Sequence, residues 1–264
     1  MFPELIRLGS FALYSYGLLV AAAFLIALTL ATRFARQSGL EADRVSSLGI
    51  YVAIAAIVGA KLLLLLTDFS YYRRNPREIF SLGTLQAGGV FFGGLLAALL
   101  TAAWLLRRWD LPAWRTADAF AAPIALGHAI GRVGCFLAGC CWGKACALPW
   151  AVTFTNPAAR ATVGVPLGVR LHPTQLYEAA AELLIFAFLW WRFRRPHSDG
   201  AIIGLYLVLY SAVRFGVEFL RDPQNRSFPF GGPLSATQWI AVLLFAAGAA
   251  LLARRAAAPE NLTA

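Results

Sequence analysis

Four groups of residues in this sequence are of types that do chemistry. The first runs from Gly127 to Cys146 and holds all four cysteines together with Arg132, which stands between Gly131 and Gly134. An arginine inside an apolar run costs roughly 2.5 to 3.5 kcal/mol on membrane-insertion scales, so its charge must face water, a partner or an anion. Its planar fork suits a phosphate, to which it can donate two parallel hydrogen bonds. The neighbouring glycines let a second helix or a lipid headgroup come close. The same residues also describe a helix end whose arginine snorkels to the interface above packing glycines. Spacing alone does not separate the headgroup site from the packed helix end.

The second group, His172 to Glu178, opens an apolar run. Pro173 suits a first helical turn, and Gln175 and Glu178, three apart, share a face. His172 is a candidate base, with a reference pKa of about 6.5; the alternative is a helix cap beside an interfacial Tyr177. The third group places Arg214, Glu218 and Arg221 at spacings of four and three, so they form one polar stripe. Such a stripe must turn into a bundle or a headgroup site, with or without a salt bridge through Glu218. The fourth, Gly88 to Gly94, permits close helix approach or lines a cavity. The cysteines at 135, 140, 141 and 146 match no usual paired zinc spacing. A disulfide outside the cytoplasm and simple packing as small hydrophobes are both compatible with them.

These groups need elements to hold them, and the composition says which. The 264 residues are 59% hydrophobic and 14% charged, against about 25% charged in soluble domains. An all-α integral membrane protein follows. The net charge of +10, from 23 Lys plus Arg against 13 Asp plus Glu, lies mostly between apolar runs. It therefore points to anionic membrane lipid and not to nucleic acid. Apolar runs near 12–32, 46–66, 86–106, 118–138, 174–191, 201–219 and 237–253 approach the roughly 20 residues that a crossing needs. About seven transmembrane helices are thus expected, in a single polytopic domain over 1–264 with no cleaved signal peptide. An interfacial helix is expected at Pro3 to Leu8. The long loop from Cys140 to Leu171 should hold a short periplasmic strand at Trp150 to Thr155. Eleven arginines, from Arg33 to Arg255, fall in one set of loops and nine basic residues, from Arg7 to Arg226, in the other. The excess favours an outside N-terminus, an inside C-terminus and the Arg132 stretch at the outer face.

Taken in order, the groups resemble the prolipoprotein diacylglyceryl transferase family. The family's Gly-Arg-x-Gly-Asn-Phe-x-Asn-x-Glu-x-x-Gly is similar to the stretch from Gly131 to Gly143. His172 to Glu178 resembles its His-Pro-Ser/Thr-Gln-Leu-Tyr-Glu element, and Glu218 to Pro223 its late Glu-Phe-x-Arg-x-Pro element. Tyr16-Gly17 resembles its first-span Tyr-Gly, and Gly59 to Leu62 its Gly-Ala-Arg-Leu. The departures are Cys135 and Ala138 at the two asparagines, Cys140 at the glutamate and Phe92 at a histidine of the third span. The resemblance implies a multi-pass protein of the bacterial inner membrane with its site toward the periplasm. It implies transfer of diacylglycerol from phosphatidylglycerol to the lipobox cysteine of a prolipoprotein signal peptide, with glycerol phosphate leaving and no metal or organic cofactor. Arg132 would clamp the phosphate and Arg221 would be the second cation. His172 or Glu178 would be the base, and Tyr16, Gly134, Gly143, Gln175, Arg214 and Glu218 would contact substrate. Cys135 and Cys140 would fill the space of the missing Asn and Glu without carrying lipid. A thiol-redox or lipid-binding protein on the same scaffold is the alternative.

Overall fold

The apolar runs fold as helices because a backbone in hydrocarbon must satisfy its own N–H and C=O groups. The computed structural model describes residues 2–8, 11–81, 83–84, 89–223 and 226–257. The long helices are α1 (Ser15–Gln37), α2 (Ala42–Thr67), α4 (Phe91–Arg108), α5 (Ala113–Ala138), α7 (Thr174–Phe193), α8 (Ala201–Glu218) and α9 (Ala236–Ala257). Two short helices, α3 (Phe69–Arg74) and α6 (Pro157–Val163), lie between them. Six of the long helices are apolar and long enough to cross a membrane. The expected seventh, α7, is long enough at 20 residues. It is not among the six because it spends three inward positions on Gln175, Glu178 and Glu182, all buried. The chain forms two units, one of residues up to Ala31 with those from Ala117 onward, the other Thr32–Thr116.

In the second unit α2 and α4 pack through small residues. A Cβ on Gly59 would lie 2.5 Å from the Gly93 carbonyl oxygen, and one on Gly94 would lie 2.8 Å from that of Ala56. The glycine group of the third run is therefore a packing seam over its described part; Gly88 lies outside the described residues.

In the first unit the pair α8 and α9 uses the same device, with a Gly248 Cβ falling 2.9 Å from the Gly204 carbonyl oxygen. Asp118 of α5 fixes where α8 begins. Its carboxylate accepts from the Gly200 and Ile203 N–H groups at 2.6 and 2.8 Å. These are donors that a helix start otherwise leaves unpaired.

Pro3 to Leu8 is not a helix. Strand β1 (Glu4–Leu8) pairs antiparallel with β2 (Phe11–Tyr14). The Ser15 N–H and hydroxyl reach the Pro3 carbonyl at 3.1 and 3.3 Å and tie the hairpin to α1. A helix of so few residues cannot repay its nucleation, whereas a hairpin uses both segments. The strand expected at Trp150 to Thr155 shortens to β3 (Val152–Thr153), paired with β4 (Arg170–Leu171). The loop around it has its own small core of Trp142, Phe154, Ala159, Val165 and Leu171.

Candidate functional site

The site is built from the bottom of a ladder between α5 and α7. His128 and Arg132 are four apart on α5, and Glu178 and Glu182 are four apart on α7, so each pair lies on one helix face. The faces meet in antiparallel register. His128 Nδ1 is 3.1 Å from Glu182 Oε1, and Arg132 Nη2 donates to Glu178 Oε1 at 3.0 Å. Arg132 Nε stands 2.9 Å from Glu178 Oε2, close enough for an ion pair but not aligned to donate. All of these groups except His128 are buried.

The stripe of α8 extends the ladder. Arg214 Nη1 lies 3.5 Å from Glu178 Oε1 and 2.9 Å from Glu218 Oε2. Glu218, only 1% exposed, also meets Arg221 Nη1 at 3.7 Å and Arg226 Nε at 3.3 Å. Ser235 Oγ donates to its other oxygen at 2.9 Å. Among these six residues, four guanidinium groups share two carboxylates, a surplus of two positive charges. Burying unpaired charge costs several kcal/mol per ion, so the arrangement calls for an anion. Arg221 Nε and Gln175 Oε1 are buried without a hydrogen-bond partner and remain available to one.

The loop after α5 is stitched beside this cluster. Gly139, at φ 81°, turns the helix end, and the Cys140 N–H returns to the Cys135 carbonyl at 3.1 Å. Left-handed backbone of this kind favours glycine. Gly143 crosses two segments at once: its N–H donates to the His172 carbonyl at 3.0 Å, and it bridges Arg221. A Cβ there would meet His172 Cβ and the Leu220 carbonyl oxygen, both at 2.6 Å. Gly143 is therefore a point of backbone crossing. Gly134 makes room for α1, where an added Cβ would be 3.3 Å from the Tyr16 ring.

The same stitching gathers the thiols. All four cysteines are free, so the disulfide considered from the sequence is absent. The Sγ atoms of Cys135, Cys140 and Cys141 lie within 4.8 Å of one another, and Arg132 Nη1 is 3.8 Å from Cys135 Sγ. Cys141 holds a left-handed φ of 61° that few side chains adopt. It is kept there by Thr174 Oγ1, which donates to its carbonyl at 2.8 Å, and by Gln175 Nε2, which donates to the Cys140 carbonyl at 2.5 Å. Hydrogen bonds from Cys135 and Cys140, reinforced by the Arg132 and Arg221 guanidinium groups, push the Cys141 thiol well below the usual thiol range. Cys140 is pushed up because it donates to Cys135 and Cys141.

The His172 ring contacts Tyr177. Its Nδ1 is 3.2 Å from the Tyr177 hydroxyl, which accepts from Trp150 Nε1 at 2.8 Å.

A sequence profile of the prolipoprotein diacylglyceryl transferase family matches residues 3–254. The chain belongs to that family. It is similar to proteins named phosphatidylglycerol–prolipoprotein diacylglyceryl transferase. That of Clostridium tetani is 32% identical over 250 residues, covering 94% of this chain and 95% of the relative. That of Bordetella parapertussis is 31% identical, covering 98% and 97%, and that of Methylobacillus flagellatus 33%, covering 95% and 95%. These names do not favour the thiol-redox or lipid-binding alternative.

Among transferase-family positions, the structure brings together Arg132, Glu178, Gln175, Arg214, Glu218 and Arg221. The departures Cys135 and Cys140 fall in the thiol cluster, and Phe92 is an exposed residue of α4. Sequence reasoning missed His128 and Glu182, whose four-residue offsets from Arg132 and Glu178 were the available signal. It also missed Arg226, Ser235 and Gln238. Arg226 reaches both Glu218 and Gln238, the latter at 3.4 Å. These residues lie beyond the end of α8, where no helical periodicity connects them.

Proposed function

We propose that the chain transfers the diacylglyceryl group of phosphatidylglycerol to the cysteine thiol of a prolipoprotein signal peptide. It would do so as a multi-pass protein of the bacterial inner membrane, with the 139–171 loop toward the periplasm. The acceptor sulfur forms a thioether with the glyceryl carbon as the carbon–oxygen bond to phosphate breaks, and glycerol phosphate leaves. The observation that carries this reading is the cluster of four arginines around Glu178 and Glu218, two more positive charges than those carboxylates neutralise, in a chain whose relatives bear that transferase name.

Arg132 and Arg221 bind the lipid phosphate and stabilise the charge that grows as it departs. Glu178 and Glu218 hold the arginines in place; with their oxygens engaged, they serve as positioning residues. Gln175 Oε1 accepts from a hydroxyl of the headgroup glycerol. Gly134 and Gly143 keep α1 and the loop close, and Tyr16 borders the same site. His172, which is in no ion pair among the described residues and is hydrogen-bonded to Tyr177, is placed to relay a proton.

The test is reconstitution of the purified chain with phosphatidylglycerol vesicles and a lipobox peptide. Mass spectrometry should show the peptide gaining one diacylglyceryl group on its cysteine. No gain with phosphatidylglycerol, together with failure to rescue a strain depleted of its own transferase, overturns the reading.

A further inference from the structure

The reaction needs a thiolate, since a free thiol has a pKa of about 8.5 and the protonated form is a poor nucleophile. Among the described residues, the carboxylates beside Arg132 are already engaged. Glu178 is paired with two arginines and Glu218 with three, and the His172 ring is turned to Tyr177. What stands there instead is a set of three sulfurs.

We infer that Cys135, Cys140 and Cys141 form a three-thiolate site for zinc, whose fourth position takes the acceptor thiol. The role in transfer rests on the transferase reading above; the binding of the metal does not. Four observations support it. The three Sγ atoms already lie within 4.8 Å of one another. Sulfurs bound to zinc at about 2.3 Å stand roughly 3.8 to 4.0 Å apart, so small side-chain rotations complete the set. The backbone is fixed in advance: Gln175 and Thr174 hold the carbonyls of Cys140 and Cys141, and Cys141 keeps a left-handed conformation that turns its side chain toward the other two. Zinc with three thiolates carries a net charge of about −1, which the guanidinium 3.8 Å from Cys135 Sγ accommodates. Three protein ligands with one open position is the pattern of reactive rather than closed zinc sites.

Coordination releases the proton of the acceptor S–H, as a bound metal deprotonates a thiol outright. The sulfur lone pair then forms the new carbon–sulfur bond, the carbon–oxygen bond of the lipid breaks, and that electron pair leaves with glycerol phosphate. The released proton ends on this phosphate monoester. No oxidant or reductant is involved, and zinc keeps its charge.

The full-length chain, purified in detergent without a histidine tag and stripped with a chelator under a phosphine reductant, should take up one equivalent of zinc. Cobalt in its place should show the thiolate charge-transfer and strong ligand-field bands of a tetrahedral site, and lipobox peptide should shift them. Zinc should protect Cys135, Cys140 and Cys141 from maleimide but leave Cys146 reactive, a readout that needs no variant to fold. Cys146→Ala should keep the cobalt spectrum, and Cys141→Ala should lose it. Transfer by the stripped protein should fall about 100-fold and return with zinc. Absence of uptake, unchanged maleimide labelling, or a Cys135–Cys140 disulfide that forms in place of the metal site overturns the site. Equal transfer with and without zinc overturns its role and leaves the transferase reading standing. No transfer in either state, with zinc bound, sinks the transferase reading and leaves the metal site.

Discussion

Glu178 does not act on Arg132 alone; it meets Arg132 with both oxygens and shares Oε1 with Arg214, while Glu218 gathers Arg214, Arg221 and Arg226. Each arginine is thereby aimed, yet the set keeps a positive surplus for a ligand. Arg132→Ala should lower transfer by about 10² to 10³, the usual loss when one donor to a developing oxyanion is removed. Arg132→Lys should retain a small fraction, because lysine supplies a point charge without the fork. Steady-state kinetics on phosphatidylglycerol vesicles, beside a thermal scan of each purified variant, checks both; a near-parental rate for the Ala variant would make Arg132 structural. Glu178→Gln should reduce the rate by a smaller factor and weaken the apparent affinity for the lipid, since it releases Arg132 without removing it. The arginine and the α8 stripe were legible from charge in apolar runs. The identity of their partners was not, because Arg132 and Glu178 are 46 residues apart and no periodicity spans that interval. The thiol cluster was hidden for another reason: its closeness comes from a left-handed turn at Gly139 and Cys141, which spacing rules for regular helices do not describe.

At the level of elements, two contacts decide whether the site has walls. Asp118 gives α8 its starting point by capping Gly200 and Ile203. Asp118→Ala should destabilise the chain by about 1 to 2 kcal/mol, and Asp118→Asn by less, as read from thermal unfolding in detergent. Gly143→Ala should be more severe. The methyl would sit 2.6 Å from both His172 Cβ and the Leu220 carbonyl, and overpacking of this kind costs about 1 to 3 kcal/mol. Its signature should be lost transfer with an altered protease cut pattern in the 139–171 loop. Six helices were readable as apolar runs of sufficient length. The helix α7 was readable as a run, but its buried Gln175, Glu178 and Glu182 interrupt it with polar groups, and it is not among the six spans. The β1–β2 pairing was not readable, since its stability lies in contacts between the two strands and in the Ser15 bonds to Pro3.

For the whole molecule, the orientation proposed from the arginine bias of the loops puts Arg107 and Arg195 on the cytoplasmic side. Cysteines introduced next to each should be shielded from a membrane-impermeant maleimide in intact cells and should react once the membrane is opened; labelling of both from outside reverses the orientation. The stitching around Gly143 also bears on how the protein is made. Chains emerge from the ribosome N-terminus first, and segments fold as they become available. Arg132 and the thiols are synthesised midway along the chain, but the Lys144 N–H finds the Leu220 carbonyl, and Gly143 its bridge to Arg221, only after nearly eighty further residues have been added. Until then the loop has its partner at His172 and none on the far side. A nascent chain therefore holds its cationic centre unfinished until Arg221 has been added, and a chain halted before Leu220 should be inactive in the vesicle transfer assay.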